Sequence, residues 1–255
     1  MLLVVKLSLT PLLISGVTLA GRRWGPLVSG LLIGLPLTTG PISLFLALEQ
    51  GIGFATKAAI GGLVGQASIC LFCLAYAHAA RRLNWMASAL CASGAFITAT
   101  TLFNLIAWTL PSALAVLLLA IAIILRLLPK AVPSIATFAP PRWDLPARMC
   151  VATCFVLLVT GVAELLGPQL SGLVAPFPVF GLVFAVFSQI QQGGASSTNV
   201  LRGIVLGSSA YTCFFTIVGL ALPDLGIGIT YALASLGAIA ASGASYLLSR
   251  HKNRH

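Results

Sequence analysis

The sequence has few charged residues and almost no acidic ones. Of its 255 residues only 7% are charged, with four Asp or Glu against 14 Lys or Arg, whereas 59% are hydrophobic. Soluble domains carry about 25% charged and about 45–50% apolar residues. The shortage of charge therefore excludes an ordinary water-soluble globule and a disordered chain.

The chain also lacks the alternation of apolar and polar residues that marks the strands of a membrane β-barrel. Its apolar residues come instead in runs of about 20, long enough to cross a bilayer core of about 30 Å as a helix. The mean hydropathy of +1.07 agrees with such runs. The sequence therefore predicts an all-α polytopic membrane protein that has the lipid bilayer as a partner.

Residues for metal, redox or acid–base chemistry are sparse. Cys70 and Cys73 form a C-x-x-C, but no second pair, histidine or carboxylate is spaced to complete a zinc site, so we interpret the six cysteines as packing residues. Two of the three histidines lie in the C-terminal tail, and paired carboxylates are lacking. We expect no enzyme activity, no cofactor and no metal site.

The basic residues predict a membrane topology and not a nucleic-acid partner. They occur singly or in pairs between apolar runs, as loop charges do, and form no stripe interleaved with aromatic residues. With the N-terminus outside, the cytoplasmic side collects twelve bases and the opposite side only Lys6 and Lys57. This asymmetry favours an odd number of spans and a cytoplasmic C-terminus in a bacterial inner membrane.

Charges, prolines and glycines divide the chain into nine predicted spans. Span 1 is followed by Arg22 and Arg23 and has no basic segment before it, which favours an uncleaved anchor over a signal peptide. A linker with four prolines and three charges is predicted at 130–146; it separates a first unit at 1–129 from a second at 147–255. The predicted spans are 2–20, 26–49, 55–78, 86–108, 111–129, 147–166, 169–190, 199–222 and 226–248.

The chain contains an internal repeat. Shifting the sequence by 142 residues aligns Val17–Phe72 with Val159–Phe214 without a gap, and 15 of the 56 positions are identical. Most of the identities are Gly, Pro, Gln, Ser, Thr and Phe, which a shared membrane composition does not explain. The repeated Gly61-x3-Gly65 and Gly203-x3-Gly207 are small-xxx-small patterns that predict close helix packing.

The repeat predicts an inverted topology. Five spans separate the starts of the two units, so spans 1–4 match spans 6–9 in the opposite direction and span 5 is an unpaired crossover. Inverted repeats recur in secondary transporters, where two similar halves exchange inward-open and outward-open states. The alternative is a duplicated helical bundle that moves nothing.

Two family resemblances follow from these features. Gly172–Ala185 (GLVAPFPVFGLVFA), with the polar loop and Gly-punctuated span after it, resembles the GlpM family of small bacterial membrane proteins over about one repeat unit. This chain departs from that family by carrying two fused copies. The inverted arrangement also looks like the drug/metabolite transporter superfamily, although a tenth span is missing. Both resemblances imply a bacterial inner membrane.

Spans 2 and 7 carry helix-breaking residues at matching positions, which predict a central site. Proline removes a backbone donor, and the freed polar groups are tolerated where they face protein or a water-filled cavity. Paired interruptions in both halves are the best sequence pointer to a transporter's binding site. The alternative is a pair of kinks whose freed carbonyls are capped by Thr and Ser. The predicted substrate-binding residues are Pro36, Thr38, Thr39, Ser43, Pro176, Pro178 and Phe180.

Glu49, near the outer end of span 2, is a candidate for proton coupling. An ionisable group in a membrane segment is costly and points to function. The alternative is a hydrated carboxylate at the membrane interface.

The leading hypothesis is a small-molecule transporter that works by alternating access. The scarcity of charges within the spans predicts a neutral, weakly charged or amphiphilic substrate. Two alternatives remain: a non-transporting scaffold subunit of an envelope polymer synthesis system, and a channel. Self-association into a homo-oligomer stays open.

Overall fold

The computed structural model describes residues 2–129, 141–165 and 177–252. Every regular element in these ranges is an α-helix. In chain order the helices are α1 (Leu2–Trp24), α2 (Pro26–Ile33), α3 (Thr39–Gln50), α4 (Ile52–Ala79), α5 (Trp85–Asn104), α6 (Leu110–Leu127), α7 (Asp144–Leu165), α8 (Val179–Gln192) and α9 (Gly194–Lys252).

The helices agree with the predicted number of nine spans. Helices α2 and α3 together occupy predicted span 2, which is broken between Ile33 and Thr39. Helix α9 covers predicted spans 8 and 9. Its backbone bends between them at Gly226, where φ is 73°. We call the parts of α9 before and after Gly226 its first and second arms.

Several helices are long and apolar enough to cross a membrane. Among the described residues, four helical segments meet both criteria: Ile52–Ala79, Trp85–Asn104, Leu110–Leu127 and the 54-residue Gly194–Leu247. At 1.5 Å per residue the last would extend for about 80 Å, more than twice a bilayer core, so its two arms are suited to separate crossings. The fold is therefore that of a helical membrane protein.

Local sequence signals explain where several helices begin. The side chain of Asn84 accepts a hydrogen bond of 2.9 Å from the Ala87 amide and caps α5. Gly51 and Gly193 have φ values of 87° and 84°, which favour glycine, and they separate α3 from α4 and α8 from α9. These two glycines are 142 residues apart, which is the offset of the sequence repeat.

The centre of the bundle is formed by α4 and the first arm of α9, which are more deeply buried than α5 and α6. The two helices run antiparallel, since Gln66 contacts Ser208 and Gly62 faces Tyr211. Gln66 Nε2 donates a hydrogen bond of 2.8 Å to Ser208 Oγ in the buried interior. Gln66 and Ser208 are also 142 residues apart.

A second close crossing joins α2 to the first arm of α9. A methyl group on Gly34 would lie 2.6 Å from the carbonyl oxygen of Ile204 and 2.7 Å from the Cα of Gly207. One on Gly30 would overlap the carbonyl oxygen of Val200. Only glycine allows backbones to approach this closely.

This crossing confirms close packing at Gly203 and Gly207, and it identifies the partner as the Gly30-x3-Gly34 pair of α2. Among the described residues, no atom lies within 4 Å of a methyl group placed on Gly61. Gly61 is exposed, so the predicted close packing at this glycine is wrong for the described part of the chain.

The periphery of the bundle is apolar and exposed. Helices α5 and α6 and the second arm of α9 turn large aliphatic side chains outward, which is the arrangement expected where helices face lipid. The exposed side chains of these three elements include Leu90, Ile97, Leu102, Leu118, Leu119, Ile123, Leu233, Leu236 and Ile239.

Helix α7 begins within the predicted linker 130–146. Its first residue is Asp144, whose amide donates a hydrogen bond of 3.0 Å to the carbonyl oxygen of Pro141. A carboxylate at the start of a helix is favourable because it faces the positive end of the helix dipole. Residues 130–140 lie outside the described ranges, so the division at this linker stays a prediction.

Candidate functional site

The helix break in predicted span 2 centres on Pro36. Helix α2 ends at Ile33, a tight turn joins the Leu37 amide to the Leu35 carbonyl at 2.8 Å, and the Gly40 amide donates to the Pro36 carbonyl at 2.9 Å. Proline cannot donate a hydrogen bond, which explains why the helix ends before it. The first turn of α3 combines the buried Gly40 and the half-buried Thr39 with the exposed Pro41 and Ile42.

The hydroxyl groups after this break face α9. Ser43 is buried, and its Oγ lies 2.7 Å from the hydroxyl of Tyr231 in a hydrogen bond between the two groups. The buried Thr39 hydroxyl lies beside the phenol of Tyr211 but makes no hydrogen bond of good geometry with the described residues. We call Thr39, Ser43, Tyr211 and Tyr231 the neutral polar site.

Aromatic rings complete the surroundings of the neutral polar site. A methyl group on Gly40 would lie 3.3 Å from Phe214 Cζ, so the ring packs directly on the first turn of α3. Phe214 also meets Tyr231 edge to face, with centroids 6.0 Å apart, and Tyr211 packs on Phe215 at 4.5 Å. The site thus combines hydroxyl groups with apolar ring faces.

The structure describes all but one of the other predicted substrate-binding residues. Pro36, Thr38 and Pro178 are all half-buried. Phe180 is partly buried and packs against the core. Pro176 lies outside the described residues, so its role stays a prediction.

Pro178 immediately precedes α8, as Pro36 lies just before α3. Both breaks adjoin Ile204 of α9: a methyl group on Gly34 would lie 2.6 Å from its carbonyl oxygen, and one on Gly181 would lie 3.2 Å from its Cδ1. The two interrupted segments therefore border the same turn of α9.

Phe177, at the start of the second interruption, lies among three other phenylalanines. Its ring stacks on Phe155 at 5.9 Å and meets Phe96 and Phe72 edge to face at 5.5 and 6.3 Å. Such aromatic pairs contribute about 0.5–1.5 kcal/mol each beyond area burial. This cluster joins the segment before α8 to α4, α5 and α7, and it forms an apolar wall.

Glu49 lies at the exposed end of α3, next to the equally exposed Gln50. The structure therefore does not bring it into the neutral polar site. Its position favours the alternative of a surface carboxylate, and proton coupling through it stays a prediction.

A charged cluster lies where the end of α1, the start of α7 and the end of α8 meet. Asp144 Oδ2 accepts a hydrogen bond of 3.0 Å from Arg22 Nη2, and Asp144 Oδ1 accepts one of 2.8 Å from Arg148 Nε. Oδ1 also accepts a hydrogen bond from Gln191 Nε2, and Gln191 Oε1 accepts a longer one of 3.4 Å from Arg148 Nη2. We call these four residues the Asp144 cluster.

Within the Asp144 cluster, Asp144 and Arg148 are buried, and both carboxylate oxygens of Asp144 accept hydrogen bonds. The side chain of Asp144 is 1% exposed, that of Arg148 7% and that of Arg22 33%. Burial acts to raise the pKa of the Asp144 carboxyl, but the hydrogen bond from Gln191 and the two guanidinium groups together hold this pKa below its ordinary value. Asp144 is therefore ionised at neutral pH.

Two phenylalanines of α8 enclose Arg148. Its Cζ lies 5.2 Å from the ring centroid of Phe184 and 4.8 Å from that of Phe187. These positions are those of cation–π contacts, which strengthen when water is excluded. Arg148 is thus held between α8 and the carboxylate of Asp144.

Sequence reasoning missed this cluster. The spacing of Asp144 and Arg148, at i and i+4, pairs them on one helix but does not relate them to Arg22 or Gln191, which belong to other helices. The available signal was composition: Asp144 is one of only four acidic residues in the chain. Tyr211 and Tyr231 were also missed, although a tyrosine in an apolar span generally needs a partner for its hydroxyl.

Gln189 and Ser188, near the end of α8, join helix ends. Gln189 accepts a hydrogen bond of 2.9 Å from the Tyr76 hydroxyl and donates one of 3.0 Å to the Leu83 carbonyl. Ser188 donates a hydrogen bond of 2.8 Å to Ser196 at the start of α9. These contacts tie α4, α8 and α9 together beside the Asp144 cluster.

Comparisons with protein families, curated proteins and solved structures find no match for this chain. The resemblances to GlpM and to drug/metabolite transporters therefore remain predictions. Within the described part of the chain, no group of three side chains is placed to hold a metal ion.

Proposed function

We propose that this protein is a small-molecule transporter of a bacterial inner membrane that works by alternating access between two inverted repeats. The observation that carries the proposal is the buried hydrogen bond between Gln66 and Ser208, which are equivalent positions of the two repeat units. In a structure with two-fold pseudosymmetry, equivalent residues meet where they lie on the axis. The antiparallel crossing of α4 and α9 at this pair is the geometry that such an axis requires.

Two further features support the inverted repeat. The turns at Gly51 and Gly193, at equivalent positions, share nearly the same backbone angles, with φ and ψ of 87° and 169° in one and 84° and 173° in the other. Helices α1 and α7, which correspond to spans 1 and 6, also pack against each other in antiparallel fashion through Ser15–Met149 and Arg22–Asp144. Pairing of equivalent helices is expected around a two-fold axis.

The broken helix supports transport over a static bundle. Discontinuous helices near the middle of the membrane form the binding sites of many transporters. Here the break places Thr39 and Ser43 against Tyr211 and Tyr231 of the two arms of α9. A site of hydroxyls and aromatic faces suits a neutral or amphiphilic substrate.

Two-sided labelling of a cysteine at Thr38 tests alternating access. In a variant with all six native cysteines replaced, Thr38→Cys would be exposed to a membrane-impermeant maleimide in right-side-out and in inside-out vesicles. We expect labelling from both sides. Ile42→Cys is the matched control, because Ile42 lies one turn further along and is 56% exposed on an apolar surface; it should react from neither side.

The possible results separate the hypotheses. Labelling of Thr38→Cys from one side only, or from neither, would contradict alternating access and leave the break as a structural kink of a scaffold subunit. Steady conductance in planar bilayers would identify a channel. Untargeted metabolite comparison of deletion and overexpression strains would then identify the substrate class.

A reporter fusion tests the proposed orientation. A reporter that is active only in the periplasm should give no signal when it is fused to His255. A strong signal would contradict the cytoplasmic C-terminus.

A further inference from the structure

We propose that the Asp144 cluster is a latch that closes one end of the bundle and must break when that end opens. This inference rests on the proposed function, since opening is the motion that alternating access requires. The charge asymmetry of the loops places this end on the cytoplasmic side. The structure would then be the state in which the cytoplasmic end is closed.

One carboxylate joins three helices. Asp144 begins α7, Arg22 lies in the last turn of α1, and Gln191 lies in the last turn of α8. The hydrogen bonds from Arg22 and Gln191 link the carboxylate on α7 to α1 and to α8. Movement of α8 away from α7 therefore requires the Gln191–Asp144 and Arg148–Gln191 hydrogen bonds to break, and movement of α1 away from α7 requires the Arg22–Asp144 ion pair to break.

One face of α8 packs around the Arg148 guanidinium. Phe184, Phe187 and Gln191 are spaced at i, i+3 and i+7 on α8, so they share one face, and this face holds the Arg148 guanidinium. Ser188 lies on the same side of α8 and is 5% exposed. Opening between α7 and α8 would bring water to this face.

The ion pair between Arg22 and Asp144 can break without leaving the Arg22 guanidinium buried. Arg22 is one-third exposed, so its guanidinium can be solvated when it leaves Asp144. Surface ion pairs of this kind contribute little net free energy, whereas a buried carboxylate without its partners is costly. The cluster is therefore stable when closed, and its outer ion pair can be released in a transport cycle.

A cysteine at Ser188 reports opening of the latch without any knowledge of the substrate. In the cysteine-free background, Ser188→Cys would be labelled by an impermeant maleimide in inside-out vesicles. Asp144→Asn removes the charge and preserves the shape of the side chain, and we expect it to raise the labelling rate about tenfold. Arg22→Gln removes only the outer ion pair and should raise the rate by a smaller factor, about threefold.

Arg23→Gln is the matched control. Arg23 is the neighbour of Arg22 and carries the same charge, but it contacts the ring of Trp24, with its Cζ 5.7 Å from the centroid. Its loss should leave the labelling of Ser188→Cys unchanged. An equal increase in the Arg23 and Arg22 variants would reduce the effect to general electrostatics and would contradict the latch.

A rate that stays constant in the Asp144 variant would also overturn the proposal. If Asp144→Asn does not fold, the Arg22→Gln variant decides, because the side chain of Arg22 is one-third exposed and Asp144 keeps its hydrogen bonds from Arg148 and Gln191. Failure of the latch is distinguishable from failure of the transport proposal, since Thr38→Cys reports two-sided access and Ser188→Cys reports only this end. In a transporter, Asp144→Asn should also lower the labelling of Thr38→Cys from the opposite side.

Discussion

The two polar regions of this bundle satisfy the hydrogen bonds of their buried polar groups in different ways. In the neutral polar site, hydroxyl groups pair or lie close to one another, and no charge has to leave water. In the Asp144 cluster, an ionised carboxylate and two guanidinium groups are buried to different degrees and satisfied by four hydrogen bonds. A neutral pair can separate at a cost of about 0.5–1.5 kcal/mol, whereas removal of one member of a buried ion pair is costly.

This difference assigns the regions different roles. A neutral site that loses and gains hydrogen bonds at low cost is suited to contact with a substrate. A charged cluster that forms only in one geometry is suited to hold one end of the bundle closed.

Asp144→Asn should destabilise the protein more than any single change in the neutral polar site. The substitution leaves the buried guanidinium of Arg148 without its carboxylate, and we expect a loss of about 3–5 kcal/mol. The fall in the midpoint of thermal unfolding in detergent measures it. A loss no larger than that of Arg23→Gln would break the comparison.

Acid should act on the two regions unequally. Because the pKa of Asp144 is lowered in the folded protein, its ionised form adds stability that is present above the ordinary carboxyl value and is lost as the pH falls through the folded value. The unfolding midpoint of the wild type should therefore fall at acidic pH. The Asp144→Asn variant should show a weaker dependence over the same range, and a parallel fall would contradict the assignment.

Replacement of both Asp144 and Arg148 by apolar residues should cost less than Asp144→Asn alone. In Asp144→Leu with Arg148→Met no buried charge is left unpaired, and Arg22 is exposed enough to reach water. Such replacements are often neutral for stability. We expect the double variant to recover most of the unfolding midpoint while Ser188→Cys stays highly reactive, which would separate stability from latching.

Ser43→Ala should have a moderate effect. It leaves the hydroxyl of the buried Tyr231 without its 2.7 Å partner, and we expect a loss of about 1–3 kcal/mol in the free energy of unfolding. Tyr231→Phe removes the same hydrogen bond from the other side. The double variant should therefore be little worse than either single one, and fully additive losses would show that the two groups do not interact.

Thr39→Val should have the smallest effect on stability. The Thr39 hydroxyl is buried without a hydrogen bond of good geometry among the described residues, so its removal should change the free energy of unfolding by less than about 1 kcal/mol. If the hydroxyl contacts substrate, transport should nevertheless fall. Unchanged accumulation of the substrate in cells would instead support a purely structural kink.

The sequence was sufficient for the apolar helical class, the number of helices among the described residues and the position of the break in predicted span 2. These features depend on local properties: apolar runs must be long enough to cross lipid, and Pro36 cannot donate the hydrogen bond that would continue α2. The offset of 142 residues also indicated which positions of the two repeat units are equivalent.

Only the tertiary structure decided which polar groups meet. Arg22, Asp144 and Gln191 come from three distant segments, and no spacing rule relates them, because their contact depends on how α1, α7 and α8 pack. The same holds for Ser43 and Tyr231, which are 188 residues apart. The sequence alone determined where helices form and break, since those events depend on neighbouring residues, whereas the partners of buried charges and hydroxyls depended on packing between helices.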